Sequence, residues 1–257
     1  IQKCRDIGTL NFSILARHGF IAKSFLDSLI EKKVLEKKEV DLFEQNLNTI
    51  TTQMLNDSIK VRSKSINKKQ FMKKYGHLRP GTYDIESKKY AQMKNFKFSA
   101  RRKKHKSFYL SKEQKLKINQ LLKKNGFSCR SDKFLNYLKT SLILREYSKF
   151  VFTKYLSLIL EIIAKFAKKK SLSRSQISNV DINNFLNKKF QNLRRSNLLN
   201  LINKNKDKIN LNKQIKLPSL IIDRSNLRVI PFQVNQPNFV TRKKIEGEYI
   251  YLSKFNY

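Results

Sequence analysis

The sequence predicts a mainly α-helical protein, a multi-helix bundle with a long central helix and a small β-containing C-terminal segment. Apolar residues recur at steps of three and four over most of the chain, which is the spacing of a buried helix face. The stretch from Asp132 to about Lys169 contains neither Gly nor Pro, so one helix can run through it. Three of the four prolines lie beyond residue 216. We therefore expect a helical domain at 1–216 and a different segment at 217–257.

The first helix is predicted from about Phe12 to Ile30, with Thr9 or Asn11 as its N-terminal cap. Arg17 and His18 fall in the middle of this helix. A histidine in such a helix is more often a core side chain with a satisfied partner than a ligand. The apolar side expected to be buried consists of Phe12, Leu15, Ala16, Phe20, Ile21, Phe25 and Leu29.

Two further helices are predicted in the N-terminal half. The second runs from about Glu39 to Asn56, because apolar residues continue at helical spacing across that range. The third is short, from Lys68 to Tyr75, with Asn67 as its cap and Gly76 as its end.

The second half of the helical domain carries clear start and stop signals. Ser111 begins an S-x-x-Q capping box, and Gly126 ends the helix that follows. Ser131 is predicted to cap the longest helix, or two helices in tandem, from Asp132 to about Lys169. Short helices capped by Ser173 and Asp181 are expected to continue to about Lys208.

The C-terminal segment has a different character from the rest of the chain. Short β-prone runs such as Leu220–Ile222 and Arg228–Ile230 are separated by turn residues, and Thr241–Leu252 is again strand-like. Two or three short strands cannot bury a face alone. We therefore interpret 217–257 as a Pro-rich hinge and the first strands of an incomplete mobile domain.

The net charge of +37 arises from 56 Lys and Arg against 19 Asp and Glu. This excess suggests a nucleic-acid-binding module, and Arg101–Lys106 is its densest cluster. A competing explanation is base composition, because Lys, Asn and Ile share A/T-rich codons. The chain shows no helix-turn-helix or zinc-finger signature, so nucleic acid is the alternative partner rather than the leading one.

Two cysteines far apart in sequence, Cys4 and Cys129, argue against a zinc site or a disulfide framework and favour the reducing cytoplasm. Charged residues interrupt the most apolar stretch, Leu142–Ala167, so no membrane span is expected.

The segment Tyr75–Ile85, with the sequence YGHLRPGTYDI, is the most informative part of the chain. It contains three of the ten Gly and Pro residues of the protein, which impose a tight, non-helical backbone path. An imidazole, a guanidinium and a carboxylate are crowded within that path. A plain connecting loop needs none of this chemistry.

Five groups of residues, spread in order along nearly the whole chain, carry a family resemblance. They resemble the central region of the phosphoenolpyruvate synthase / pyruvate phosphate dikinase-like phosphotransferases, including rifampin-phosphotransferase-like members. Gly19 departs from the pattern, where an alanine-like residue is expected. The groups are Gly8–Phe12 with Ala16–Ala22, Tyr75–Ile85, Leu144–Phe150 with Phe152–Lys154, Leu217–Ile221, and Gln236–Thr241 with Ile245–Gly247.

The resemblance implies an ATP-dependent enzyme in which a swivelling domain carries a phosphorylated histidine to an acceptor. It implies ATP and Mg²⁺ as cofactors of the complete enzyme, and ATP-binding and phosphohistidine domains as partners in the same or a separate chain. The sequence contains no Gly-rich phosphate loop followed by Lys, and no histidine stands in a phosphohistidine context. We therefore expect this chain to be the acceptor-binding and linker region, not catalytic alone. The alternative is an inactive remnant. The acceptor stays open among pyruvate, water and another hydroxyl compound.

The candidate substrate-binding residues are His77, Arg79, Asp84, Arg17 and Arg145. Arg79 is suited to a phosphate or carboxylate, and His77 to holding a proton. The alternative is a structural brace in which Arg79 pairs with Asp84 and His77 bonds to the backbone.

Arg145 and Glu146 are adjacent on the long helix and cannot face each other. We expect each of them to pair with another helix, and a buried Arg17–Glu146 bridge is the specific prediction.

Overall fold

A computed structural model describes residues 1–98, 106–214 and 223, and those residues form a helical protein with no β-strand among them. The predicted fold class, a mainly helical bundle with one long helix, is confirmed. The predicted C-terminal strands and the domain boundary after residue 216 lie outside the described residues. The helices are α1 Leu10–Glu31, α2 Lys37–Gln45, α3 Ile50–Arg62, α4 Lys68–Tyr75, α5 Lys112–Lys124, α6 Ser131–Lys169, α7 Arg174–Ile177, α8 Lys188–Gln191 and α9 Arg195–Gln214.

Helix α6 runs antiparallel to α1 and forms the centre of the molecule with it. Gly8 at one end of the pair lies against Phe152, and Phe25 towards the other end packs on Phe134 with ring centroids 5.1 Å apart. The core around this pair also takes in side chains from α2 and α5. Its buried members are Ala22, Leu26, Leu29, Val34, Leu35, Val40, Phe43, Leu47, Ile118, Leu122, Phe134 and Leu138.

The buried face of α1 differs from the predicted one. Phe20 and Ile21 are exposed, at 59% and 45%, whereas Gly19 and Ala22 are buried. The long helix α6 packs along a line of small residues, because only there can the two backbones approach closely. A Cβ atom on Gly19 would lie 2.5 Å from Cδ of Arg145. The large aromatic side chain of Phe20 therefore lies outside the contact between the two helices and is exposed.

The start of α1 also differs from the prediction. A π-helical turn at Cys4–Thr9 runs directly into α1, and Thr9 itself has helical dihedral angles. Neither Thr9 nor Asn11 is therefore an N-cap, because a residue inside a continuous helix has no free first turn to satisfy.

The predicted helix at 39–56 is two helices, α2 and α3, separated by a turn. The Asn46 side chain donates to the carbonyl of Leu42, which ends α2, and the hydroxyl of Thr49 accepts from the amide of Thr52, which begins α3. Leu47 is buried within the turn. The apolar periodicity continues across the break, which is why the pattern alone predicts a single helix.

Most predicted caps are confirmed. Ser111 and Ser173 close capping boxes, Asn67 caps α4, and Gly126 ends α5 with a φ of 77°. Asp181 caps the 3₁₀ turn Ile182–Leu186.

Ser131 does not cap α6. It is the first residue of that helix, and Arg130 occupies the cap position. The Ser131 amide instead donates to the side chain of Asn119 at 2.7 Å.

The chain divides into two units, residues 1–199 and residues 200–257. All the features described below lie in the first. Within the described ranges, no helix combines the length and apolarity that crossing a bilayer requires.

Candidate functional site

A cleft of about 1170 Å³ opens between α1, the α2–α3 turn and α6. Leu78 and Thr82 of the Gly/Pro segment complete its wall. The lining is largely apolar, with a few charged side chains and several threonine hydroxyls. This is the composition of many small-molecule sites. The charged side chains in the lining are Arg17, Lys23, Glu44, Arg145, Glu146 and Lys149.

The charges of the cleft are unbalanced. Lys23 and Glu44 neutralise each other through a 2.7 Å ion pair. Three cations remain, Arg17, Arg145 and Lys149, and no carboxylate among the described residues forms an ion pair with any of them. Three cations against the single carboxylate of Glu146 make the cleft attractive to an anion.

Arg145 is held in place by its neighbours on α1. Its aliphatic stem crosses Gly19, and its guanidinium carbon lies 4.8 Å from the ring centroid of Phe20. Such a cation–π contact orients the guanidinium without neutralising it. Arg145 therefore stays available to a ligand in the cleft.

The predicted Arg17–Glu146 bridge is absent. Arg17 is an exposed residue on α1, whereas the Oε2 atom of Glu146 is buried and has no hydrogen-bond partner in the described part of the chain. The prediction was wrong because the Arg17 side chain, although it lines the cleft, is exposed and forms no ion pair with Glu146 in the described part of the chain. A buried carboxylate oxygen without a donor is costly, and a ligand hydroxyl would satisfy it.

Arg79 forms a brace inside the protein, and only 2% of its side chain is exposed. Its Nη1 atom donates to the carbonyls of Asp84 and Ser87, at 3.2 and 3.1 Å. Its Nη2 atom donates to the Ser157 hydroxyl at 2.9 Å and to Glu161 at 3.2 Å. The guanidinium thus joins the Gly/Pro segment to α6.

Glu161 is shared between two arginines. It also accepts two hydrogen bonds from Arg174, which in turn donates to the carbonyl of Ile85. Burial acts to raise the pKa of Glu161, but Arg174 and Gln92 outweigh burial and hold that pKa below its ordinary value.

Asp84 does not pair with Arg79 through its carboxylate. The Asp84 carboxylate instead accepts from the amide of Glu86 at 2.8 Å, and the amide of Gly81 donates to the Ser87 hydroxyl at 3.1 Å. These bonds close a compact turn. A role for Arg79 or Asp84 in binding a substrate stays a prediction.

His77 lies behind the cleft wall. Its ring packs edge-on against Phe150, with centroids 4.7 Å apart, and Phe150 itself lines the cleft. Burial lowers the pKa of His77, and the nearby charge of Lys154 acts in the same direction. The side chain is therefore held as the neutral imidazole at neutral pH.

Three cleft residues, Tyr75, Lys149 and Glu146, were not predicted as site residues. Lys149 did not stand out in the sequence, since one charge on a helix gives no sign of a cleft. Tyr75 is buried, and its hydroxyl donates to Asp57 at 2.8 Å. The one signal for Tyr75 in the sequence was its position as the first residue of the Gly/Pro segment.

The basic cluster Arg101–Lys106 lies outside the described residues except for Lys106, so its role as a nucleic-acid surface stays a prediction. Across the described ranges, no three His, Cys, Asp or Glu side chains lie close enough together to hold a metal ion. Comparisons with protein-family models, with curated proteins and with solved structures found no match to this chain.

Proposed function

We propose that this chain is the central acceptor-binding and linker region of a cytoplasmic, ATP-dependent, phosphohistidine-type phosphotransferase that resembles phosphoenolpyruvate synthase. The observation that carries the proposal is the meeting of Arg17 and Arg145 in one cleft, beside the buried Oε2 atom of Glu146, which has no hydrogen-bond partner among the described residues. The two arginines come from separate segments that carry the family resemblance. Their convergence is what an acceptor site built from those segments requires.

The chemistry of the cleft favours one kind of acceptor. Arginine binds carboxylate and phosphate groups through its planar fork, and the unpaired oxygen of Glu146 can accept a hydrogen bond from a hydroxyl group. A cleft of about 1170 Å³ lies above the usual range for drug-sized ligands. The cleft therefore has room for a hydroxyl compound larger than pyruvate that also carries an anionic group.

The rest of the reaction belongs to other domains, in the same or a separate chain. ATP and Mg²⁺ would be bound there, and the phosphohistidine would deliver its phosphoryl group to the hydroxyl held in this cleft. The residues of this chain would bind and orient the acceptor. The segment 217–257 would serve as the hinge towards the swivelling domain.

Binding of 3-hydroxybenzoate, measured by ligand-observed NMR, tests the cleft, because this probe carries one carboxylate and one hydroxyl. We expect saturable binding that Arg145→Gln weakens about tenfold. The matched control Arg62→Gln changes an exposed arginine outside the cleft and is expected to have no effect. Equal binding by the two variants would contradict the proposal for Arg145.

Benzoate separates the role of Glu146 from that of the arginines, since it lacks the hydroxyl. Glu146→Gln removes a negative charge that repels the carboxylate of both probes, so benzoate is expected to bind more tightly, and the ratio of 3-hydroxybenzoate affinity to benzoate affinity is expected to fall below that of the wild type.

The coding sequence on either side of this segment in the native transcript tests the enzyme class. An ATP-binding domain upstream and a histidine-bearing domain downstream, in this or an adjacent frame, are expected. Stop codons on both sides with no such frames nearby would contradict the phosphotransferase proposal, whatever the cleft binds.

A further inference from the structure

The α1–α6 pair has a second exposed face, on the side away from the cleft, and that face is apolar. Four apolar residues on α1 and the turn before it, and five on α6, have exposed fractions from 37% to 61%. We call them the apolar stripe. Its members are Ile7, Leu10, Ile14, Ile21, Leu144, Tyr147, Tyr155, Leu158 and Ile162.

Helix geometry places all of these residues on the same side of the pair. Successive residues turn by about 100° around a helix. On each helix the stripe positions therefore point away from most of the residues that line the cleft, such as Ala16 on α1 and Glu146 on α6, and the exposed Arg17 lies at the border between the two faces. Because the helices are antiparallel neighbours, the two sets form one surface. From Leu144 to Ile162 it extends about 27 Å along α6.

The stripe ends in a hollow of about 230 Å³. Ile162 belongs to both the stripe and the hollow. The hollow is lined by Ile1, Ile159, Ile162, Ile163, Phe166, Phe185 and Gln191. An apolar pocket at the end of an apolar face can hold one large side chain of a partner, which is the usual form of an interface anchor.

The rim of the stripe is basic. Lys154 and Lys165 are exposed on α6 beside it. The acidic residues of α6 are engaged elsewhere: Asp132 pairs with Lys115, Glu161 with Arg79 and Arg174, and Glu146 lines the cleft. In a chain with 56 Lys and Arg, an uncharged stripe with a lysine rim departs from the rest of the surface.

We propose that this face docks an acidic partner protein through an amphipathic helix. The apolar side of that helix covers the stripe, one large side chain enters the hollow, and flanking Asp and Glu residues meet Lys154 and Lys165. A second copy of this chain fits less well, because each copy has a formal charge of +37 and would bring lysines against lysines. A membrane surface would leave the hollow without a function.

Fluorescence anisotropy with a labelled synthetic helix tests the proposal on the full chain. The probe is about three heptads long, with Leu at the a and d positions and Glu on most of the remaining surface. Two control peptides carry Lys in place of Glu, or Ser in place of Leu. We expect only the acidic Leu peptide to bind, and we expect its affinity to fall as the salt concentration is raised.

Two variants of the chain locate the binding. Leu158→Ser with Ile162→Ser is expected to weaken binding at least about tenfold. The matched control Leu116→Ser removes a leucine from α5 that is 62% exposed and away from the stripe, and it is expected to bind normally. Lys154→Glu with Lys165→Glu changes the rim without touching packed side chains, and it is expected to reverse the preference between acidic and basic peptides.

Three outcomes overturn the proposal. The first is that all three peptides bind with equal affinity, or that none of them binds. The second is self-association in sedimentation experiments that Leu158→Ser with Ile162→Ser abolishes, which would make a second copy the occupant. The third is preferential binding to phosphatidylserine vesicles with the same sensitivity to these substitutions, which would make the face a membrane surface.

Discussion

Replacing Arg79 with alanine is the most direct test of the brace that joins the Gly/Pro segment to α6. The guanidinium makes four hydrogen bonds, and the loss of each costs about 1 kcal/mol. Its Nε atom is buried without a hydrogen-bond partner among the described residues, so removing it recovers about 1 kcal/mol. Glu161 keeps its bonds to Arg174 and Gln92 and is not left unpaired.

The expected cost of Arg79→Ala is therefore about 3 kcal/mol, at the lower end of the range for breaking a buried ion pair. Urea unfolding followed by circular dichroism measures it. Arg79→Lys keeps the charge but cannot reach all four acceptors, so we expect a smaller loss. The control Arg62→Ala changes an exposed arginine and is expected to stay within about 0.5 kcal/mol of the wild type. A cost below about 1 kcal/mol for Arg79→Ala would refute the brace.

Three further predictions concern the cleft and its surroundings. Burial lowers the pKa of His77 in the folded state, so the unfolded chain takes up the proton first and the free energy of unfolding is expected to fall as the pH drops below about 6.5. His77→Gln is expected to flatten this pH dependence in urea titrations. An unchanged pH dependence in the variant would contradict the role of His77. In Gly19→Ala, the new Cβ atom would lie 2.5 Å from Cδ and 3.0 Å from Cβ of Arg145. Overpacking of this kind costs about 1–3 kcal/mol, against a gain in helix propensity of about 1 kcal/mol, so we expect a lower unfolding midpoint and weaker binding of 3-hydroxybenzoate. Tyr75→Phe removes the hydroxyl that donates to Asp57, and we expect a loss of about 2 kcal/mol in urea unfolding, with no loss counting against that bond.

Local signals predicted the helices well where the chain carries its own start and stop residues. Asn67, Ser111 and Ser173 form caps within one turn of the helix they begin, and Gly126 adopts the positive φ that ends α5. The absence of Gly and Pro between Asp132 and Lys169 likewise predicted an uninterrupted helical stretch, as one helix or two in tandem, and the structure has one. These features depend on neighbouring residues only, which is why the sequence reveals them.

The α2–α3 break and the buried face of α1 were not predictable in the same way. Apolar spacing continues through Leu47, and the turn exists because Asn46 and Thr49 satisfy backbone groups there. On α1, Phe20 is the larger apolar side chain, but the close approach of α6 selects Gly19 for the buried position. The buried face of a helix and the position of a turn depend on which other helix packs against them, and that helix is distant in sequence.

The candidate site shows the same division. The sequence singled out Arg17, Arg145 and the Gly/Pro segment by residue type and by the motifs they belong to. It could not distinguish Arg79, which binds Glu161 in the interior, from Arg145, which lies over Phe20 and forms no ion pair with any described residue. Both are arginines within motifs, and their partners are distant in sequence.

The sequence by itself determined the helical class, the long central helix and most helix ends. Each of these depends on hydrogen bonds and periodicity within a few residues. Only the tertiary structure decided which charges remain without partners and which apolar side chains remain uncovered. Ion pairs and buried surfaces form between residues far apart in the chain. The packing of α1 against α6 therefore decides that Glu146 lines the cleft and that Leu158 remains exposed on the apolar stripe.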